Sequence, residues 1–235
     1  MSHRYVVALG GSLLRPEESA ERDTWFARLR QLAVSLEGNG HRLAVVVGGG
    51  LPAREGIQLA SSMVSDSARL DRIGIAATRI NATVIQQVLQ SVGCDVADAI
   101  PHTVEEAANL LSQHSIVLMG GTTPGHTTDT VAVRLAASIQ AKYCIIATNV
   151  SHVFNKDPRE FDDAEAISEM TLAELGEITG VGSPLEPGAS AVVDPMAVQA
   201  AMDASIDMAV LDGRDISRLD DALEGKSFVG TLIRT

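Results

Sequence analysis

The chain has 235 residues, 46% of them hydrophobic, with 30 acidic against 18 basic side chains and a formal charge of −12. That length buries a sizeable core and suits a single α/β domain over 1–235, while the charge argues against a sequence-independent nucleic-acid binder, which needs a basic face to displace counterions. No apolar run approaches about 18 residues and Met-Ser-His-Arg does not open a leader pattern, so a cytoplasmic location without membrane contact is expected, with Cys94 and Cys144 as free buried thiols.

Arg4 to Leu9 reads as a buried strand that runs into Gly10-Gly11-Ser12. Asp23 to Leu36 gives a helix with Trp25, Leu29, Leu32 and Leu36 on one side, stopped by Gly38-Asn39-Gly40. A second strand, Arg42 to Val47, ends in Gly48-Gly49-Gly50, and a helix follows from Pro52, a residue suited to the first helical turn. Arg54 lies in that turn, where a cation opposes the helix dipole; a bound phosphate would justify it, and an exposed arginine tolerated at small cost is the plainer reading.

Asp71 to Val92 is a long amphipathic helix on which Asp71 and Arg79 are either ligand contacts or parts of a solvated face. A weak strand is expected at Val96 to Ile100, then a helix from Thr103 to Leu111 and a buried strand at Ile116 to Met119. The stretch Gly120-Gly-Thr-Thr-Pro-Gly-His-Thr-Thr-Asp129 joins that strand to the next helix. Its glycines let backbone N–H groups approach a phosphate and its threonines add donors at the positive end of a helix. Read alone, it is equally a Gly/Thr-rich turn with Asp129 as an ordinary first-turn acid. In a phosphate site Asp129 would instead align other groups or reach a magnesium ion that bridges phosphates.

Tyr143 to Ala147 is a further strand followed by Thr148 to Pro158, whose Asn-Lys-Asp-Pro ending is a turn by composition. Thr171-Leu-Ala-Glu174 is a capping box, Gly180 to Ser190 a connecting loop, and Asp194 to Asp203 a helix. Met208 to Leu211, Ser217 to Leu223 and Val229 to Ile233 close the chain as strand, helix and strand. This alternation predicts a mainly parallel sheet with helices on both faces, a three-layer α/β/α sandwich, and ligands at the carboxyl ends of its strands. Four strand-end loops, starting at Gly10, Gly48, Gly120 and Thr148, then share one edge. Such an edge holds more than one phosphate group and suits phosphoryl transfer, which needs positioning and charge stabilisation rather than a nucleophilic residue.

Gly48-x-Gly50-x-x-Ala53 also matches the short dinucleotide fingerprint, but it lies on the second strand and leaves the Gly/Thr loop unexplained. A P-loop motif is absent, and the six histidines show no metal-ligand spacing.

Taken together, Gly-Gly-Ser at 10–12, Val-Val-Val-Gly-Gly-Gly with Ala53-Arg54, Asp71 before Thr78-Arg79-Ile80-Asn81-Ala82, the Gly120 to Asp129 stretch, Thr148-Asn149-Val150, Lys156-Asp157-Pro158 and Val193-Asp194-Pro195 resemble the amino acid kinase fold and, within it, the archaeal-type uridylate kinases. The resemblance implies ATP contacts at Gly11, Ser12, Gly50, Arg54, Thr148, Phe154 and Asp157. It implies UMP contacts at Gly49, Asp71, Gly121, Thr122, Thr123, Pro124, Gly125, His126 and Thr127, with Asp129 and Arg54 at the reacting centre. It further implies magnesium, ATP-dependent conversion of UMP to UDP, and a homohexamer built from dimers. The chain departs from the family where Ala8 and Gln199 stand in place of lysines and where Ser151-His152-Val153-Phe154 replaces Asp-Gly-Val-Tyr. A lysine at 199 is accordingly expected to raise turnover if position 199 faces the phosphates. The alternatives are a same-fold kinase for another small phosphate or carboxylate, and a non-catalytic nucleotide-binding protein resembling the molybdenum storage proteins, whose likeness includes the ending Val229 to Thr235.

Overall fold

The computed structural model describes residues 3–15, 19–158, 160–181 and 192–235. In chain order the elements are β1 (Arg4–Leu9), α1 (Ser19–Gly38), β2 (Arg42–Val47), α2 (Gly50–Ser61), α3 (Ser67–Gln90), α4 (Val104–Gln113), β3 (Ile116–Met119) and α5 (Thr128–Ser138). After these come β4 (Cys144–Thr148), β5 (Val153–Phe154), β6 (Ala166–Ile167), β7 (Glu169–Thr171), α6 (Leu172–Thr179), α7 (Pro195–Ala204), β8 (Met208–Asp212), α8 (Ile216–Glu224) and β9 (Gly230–Arg234).

Seven strands form one sheet in the order β3-β2-β1-β4-β8-β9-β7. The β3, β2, β1, β4 and β8 strands run parallel, and β9 pairs antiparallel to β8. The pleat divides the apolar strands between two cores. Tyr5, Val7 and Leu9 face one layer with Leu43, Val45 and Val47, under α1, α3 and α8. Val6 and Ala8 face the other with Ala44 and Val46, under α4, α5, α6 and α7. A strand buried on both faces has no polar alternation, which is why these runs read as continuous apolar segments.

Local chemistry sets the helix boundaries. Asp66 caps α3 through the Ala68 and Arg69 N–H groups, Thr171 and Glu174 form the expected reciprocal box, and Asp194 caps α7 ahead of Pro195. Gly40, at φ 72°, takes the left-handed conformation that ends the α1 connection.

Two expectations change. Val96 to Ile100 is not a strand: only a bridge between Val96 and Ile116 forms. The following carbonyls go to side chains of α3 instead, with Gln86 Nε2 donating to Ala97 O at 2.8 Å and Asp98 O at 2.9 Å, and Arg79 donating to Ile100 O and Pro101 O. Arg79 is therefore a brace for this segment. The Thr148 to Pro158 region contains, besides its turn, a two-stranded hairpin of β5 and β6, closed by Asn155 N–H to Glu165 O at 3.1 Å. Of the expected 180–190 loop, 182–190 lie outside the described residues.

Candidate active site

The carboxyl ends of β1, β2, β3 and β4 lie side by side, so the four loops meet at one edge as the alternation requires. The first two loops pack backbone to backbone. A Cβ on Gly11 would collide with Gly48 O and stand 2.5 Å from Gly50 N, and one on Gly50 would meet Gly11 C at 2.6 Å. Gly50 also has φ +56°. Glycine is required at both positions by contact, and at Gly50 by conformation as well.

Behind the second loop sits Asn81 of α3, fully buried. Its amide donates to Gly48 O at 2.8 Å and Gly49 O at 3.0 Å, and its Oδ1 accepts from Arg15 Nη1 at 2.8 Å. With these carbonyls turned inward, the N–H groups of Gly11, Ser12 and Gly49 have no acceptor among the described residues. They form a set of donors suited to phosphate oxygens. Arg54, exposed at the fifth residue of α2, makes no ion pair or hydrogen bond to a described residue. Its charge is available at this edge.

The third loop is fixed from α3. Thr78 Oγ1 accepts from the Gly121 N–H at 2.8 Å while donating to Ile75 O at 2.6 Å, and Asp71 Oδ2 accepts from the Gly125 N–H at 2.7 Å. Thr127 Oγ1 caps α5 and donates to Asp194 Oδ2 at 2.7 Å, where Thr130 Oγ1 also donates at 2.7 Å. The structure thus brings Asp71 and the loop together, but it spends the Gly121, Gly125 and Thr127 donors internally. Thr122 and Thr123 keep N–H and hydroxyl groups without a hydrogen-bond acceptor among the described residues. His126 leans on Arg134, with Nδ1 to Nη1 at 3.2 Å.

Asp129 is half-buried in the first turn of α5. Burial, and then the charge of Asp194, push its carboxyl up to about 6, against a hydrogen bond from the Asp194 backbone that favours the charged form. Two acids this close create demand for a cation.

On the far side of β4 a cavity of about 610 Å³ opens between Thr148, Phe154, Asp157, Leu175, Ile178 and Arg214. Three of the expected nucleotide contacts line it. Its size and mixed lining suit a planar base. Arg214 was not anticipated: it follows β8 and is held by Asp212, Nε to Oδ1 at 2.9 Å and Nη2 to Oδ2 at 2.5 Å. Burial would raise the Asp212 carboxyl, but the hydrogen bonds and charge of Arg214 outweigh it and hold it below the usual carboxylate range. The Asp212-Gly-Arg214 stretch at the end of a strand was the sequence signal for this group.

Neither Lys156 nor Gln199 presents an unpaired cation, since the first is ion-paired and the second is neutral. Lys156 pairs with Asp163 at 2.5 Å. Gln199 is exposed on α7 and donates to Asp203 at 2.8 Å, one helical turn away. Ala8 is 2% exposed, set between Val46 and Ile146 in the sheet.

Residues 3–212 match the amino acid kinase family. The chain is 40% identical over 208 residues to the uridylate kinase of Methanococcus maripaludis, covering 88% of this chain and 90% of that one, and 37% identical over 210 residues to the uridylate kinase of Methanocaldococcus jannaschii, covering 89% and 91%. Its fold superposes on the crystal structure of uridylate kinase from Archaeoglobus fulgidus with a TM-score of 0.82 at 33% identity, over 97% of this chain and 99% of that one. A UMP kinase from Bacillus anthracis, 23% identical, shares the fold with a TM-score of 0.78 over 98% and 95%. The glycine loops, the braced Gly/Thr loop and the sheet that aligns them therefore have a family: this chain belongs to the amino acid kinases.

Proposed function

We propose that the protein transfers the γ-phosphoryl group of ATP to UMP, giving UDP and ADP. The observation that carries this reading is the seating of the Gly/Thr loop by Asp71 and Thr78 beside the two glycine loops, an arrangement that would suit an acceptor lying next to a donor on one sheet edge. The uridylate kinases to which the chain is similar support the choice of UMP. ATP would place its base in the cavity lined by Thr148, Phe154 and Asp157 and its phosphates on the N–H groups of Gly11, Ser12 and Gly49, toward Arg54. UMP would lie along Thr122 and Thr123, with Asp71 accepting from ribose hydroxyls.

Magnesium dehydrates reluctantly and binds through one or two carboxylates together with substrate phosphates. Asp129 beside Asp194 fits that demand, and no cluster of three or more metal-ligating side chains occurs among the described residues, so phosphates would complete the shell. When bound, the ion neutralises charge on the phosphates. Arg54 stabilises charge developing on the transferring group, and the glycine loops hold donor and acceptor in line without a covalent intermediate.

Self-association as a homohexamer built from dimers is part of the same proposal. It is supported by apolar side chains on α2, the turn after it and α3 that no described residue covers: Leu59 is 85% and Met63 90% exposed, with Ile80 and Val84 also outward. The direct test is ADP release with ATP and magnesium against UMP, CMP, other phosphorylated acceptors and no acceptor. UMP should be preferred by orders of magnitude. Equal rates with every acceptor, or none with any, would reject the proposal.

A further inference from the structure

The edge of the sheet opposite the glycine loops carries a second polar cavity, about 540 Å³, lined by His3, Arg4, Arg42, Gln140 and Lys142. The topology builds it. Arg4 and Arg42 are register partners at the first residues of β1 and β2. The Lys142 N–H donates to Arg4 O at 3.3 Å, two residues before β4 begins on the other side of β1. Three neighbouring strands thus each start on or beside a cation. His41 extends the row, its Nδ1 accepting from the His3 N–H at 3.2 Å.

Part of this arrangement is structural. Arg4 Nη1 donates to Ile139 O at 3.0 Å and Arg42 Nη1 to Leu111 O at 2.6 Å, which places cations at the carboxyl ends of α5 and α4. Each contact uses one of the five N–H donors of a guanidinium. It does not fully account for Lys142, which makes no hydrogen bond to a described residue and whose ammonium lies over the Tyr143 ring, 5.5 Å to the centroid, and beside Gly225 at the carboxyl end of α8. Nor does it explain why, in a chain with 30 acids, no carboxylate among the described residues pairs with Arg4, Arg42 or Lys142. Glu224, whose charge acts on Tyr5 nearby, is paired with Lys226. Like charges side by side on adjacent strands repel one another, and a bound anion relieves that repulsion.

We infer that this amino-terminal edge is a second anion site that binds a compact oligophosphate, either free or as the tail of a nucleotide. The six residues of β1 separate it from the glycine loops by roughly 20 Å, at about 3.3 Å per residue. One phosphate chain cannot serve both edges.

The test is calorimetric titration of the full-length protein with sodium tripolyphosphate at low and high salt, comparing wild type with Arg54→Gln, Lys142→Gln and the double variant Arg42→Gln/Lys142→Gln. One binding component should survive Arg54→Gln, weaken with salt, and weaken about tenfold in Lys142→Gln, as for a lost charged hydrogen bond. It should weaken further in the double variant. Lys142→Gln leaves both helix-end contacts in place, so its result stands even if the double variant folds poorly. The same comparison with a nucleoside triphosphate identifies the source: a component sensitive to Lys142→Gln assigns the nucleotide tail, and its absence while the tripolyphosphate component remains assigns the free ion. If no component responds to Lys142→Gln, the cations serve only as helix-end partners and the inference is overturned.

Discussion

At the scale of single residues, the site separates charges that hold the fold from charges that remain available to a ligand. Arg54 is exposed and unengaged among the described residues, so Arg54→Ala should leave the melting temperature within a degree or two and lower turnover by about 10²-fold, the usual loss for a charge-stabilising donor. Early melting with full activity per folded molecule would remove Arg54 from the transfer site. Asp71 both braces the Gly125 N–H and faces the acceptor loop, so Asp71→Asn should weaken UMP binding more than ATP binding in equilibrium titrations; equal loss for the two would assign Asp71 to the scaffold. Gln199 carries a prediction of its own. Its amide is bonded to Asp203 on an exposed helix face, so Gln199→Lys should form an i,i+4 ion pair with Asp203 worth about 0.2–0.5 kcal/mol and leave turnover nearly unchanged. A several-fold rise in turnover would mean that the side chain swings to the phosphates.

At the scale of elements, the sequence was most legible where one local rule decided the outcome. The strands Arg42–Val47 and Ile116–Met119 were read to the residue because they are unbroken apolar runs; the Thr171-Leu-Ala-Glu174 box marked the start of α6, and α7 was read one residue early at each end, as Asp194 to Asp203. Val96 to Ile100 misled because an apolar run records burial, not partners, and its carbonyls are taken by Gln86 and Arg79. The β5–β6 hairpin was missed because two-residue strands carry no period to detect. The glycine loops were legible as glycine but not as a pair. Gly50→Ala places a Cβ 2.6 Å from Gly11 C at a φ of +56°, so it should cost about 1–3 kcal/mol in chemical denaturation and weaken ATP binding. A variant with unchanged stability and ATP affinity would show that the two loops do not depend on one another.

At the scale of the whole molecule, pH and assembly are the measurable consequences. Asp212 is held below its ordinary pKa by Arg214 despite burial, so it favours the folded state above the usual carboxylate range and loses that contribution as pH falls through its lowered value. Acid unfolding of Asp212→Asn should accordingly show less stability at neutral pH and a shallower decline below pH ~4 than wild type, the ordinary range for an aspartate. A parallel shift of the whole curve would mean that the residue matters only through packing. In light scattering, Leu59→Asp with Met63→Asp should reduce the assembled mass if the exposed face of α2 is buried between copies; an unchanged mass would move the interface elsewhere. The sequence alone determined the alternation of strands and helices, and with it the edge on which the loops gather, because burial on two faces and the parallel crossover rule leave little choice. Only the tertiary structure decided which donors in those loops stay free, since Asn81, Thr78, Asp71 and Asp194 reach them from elements 30 or more residues away and hydrogen bonds at that separation leave no local pattern.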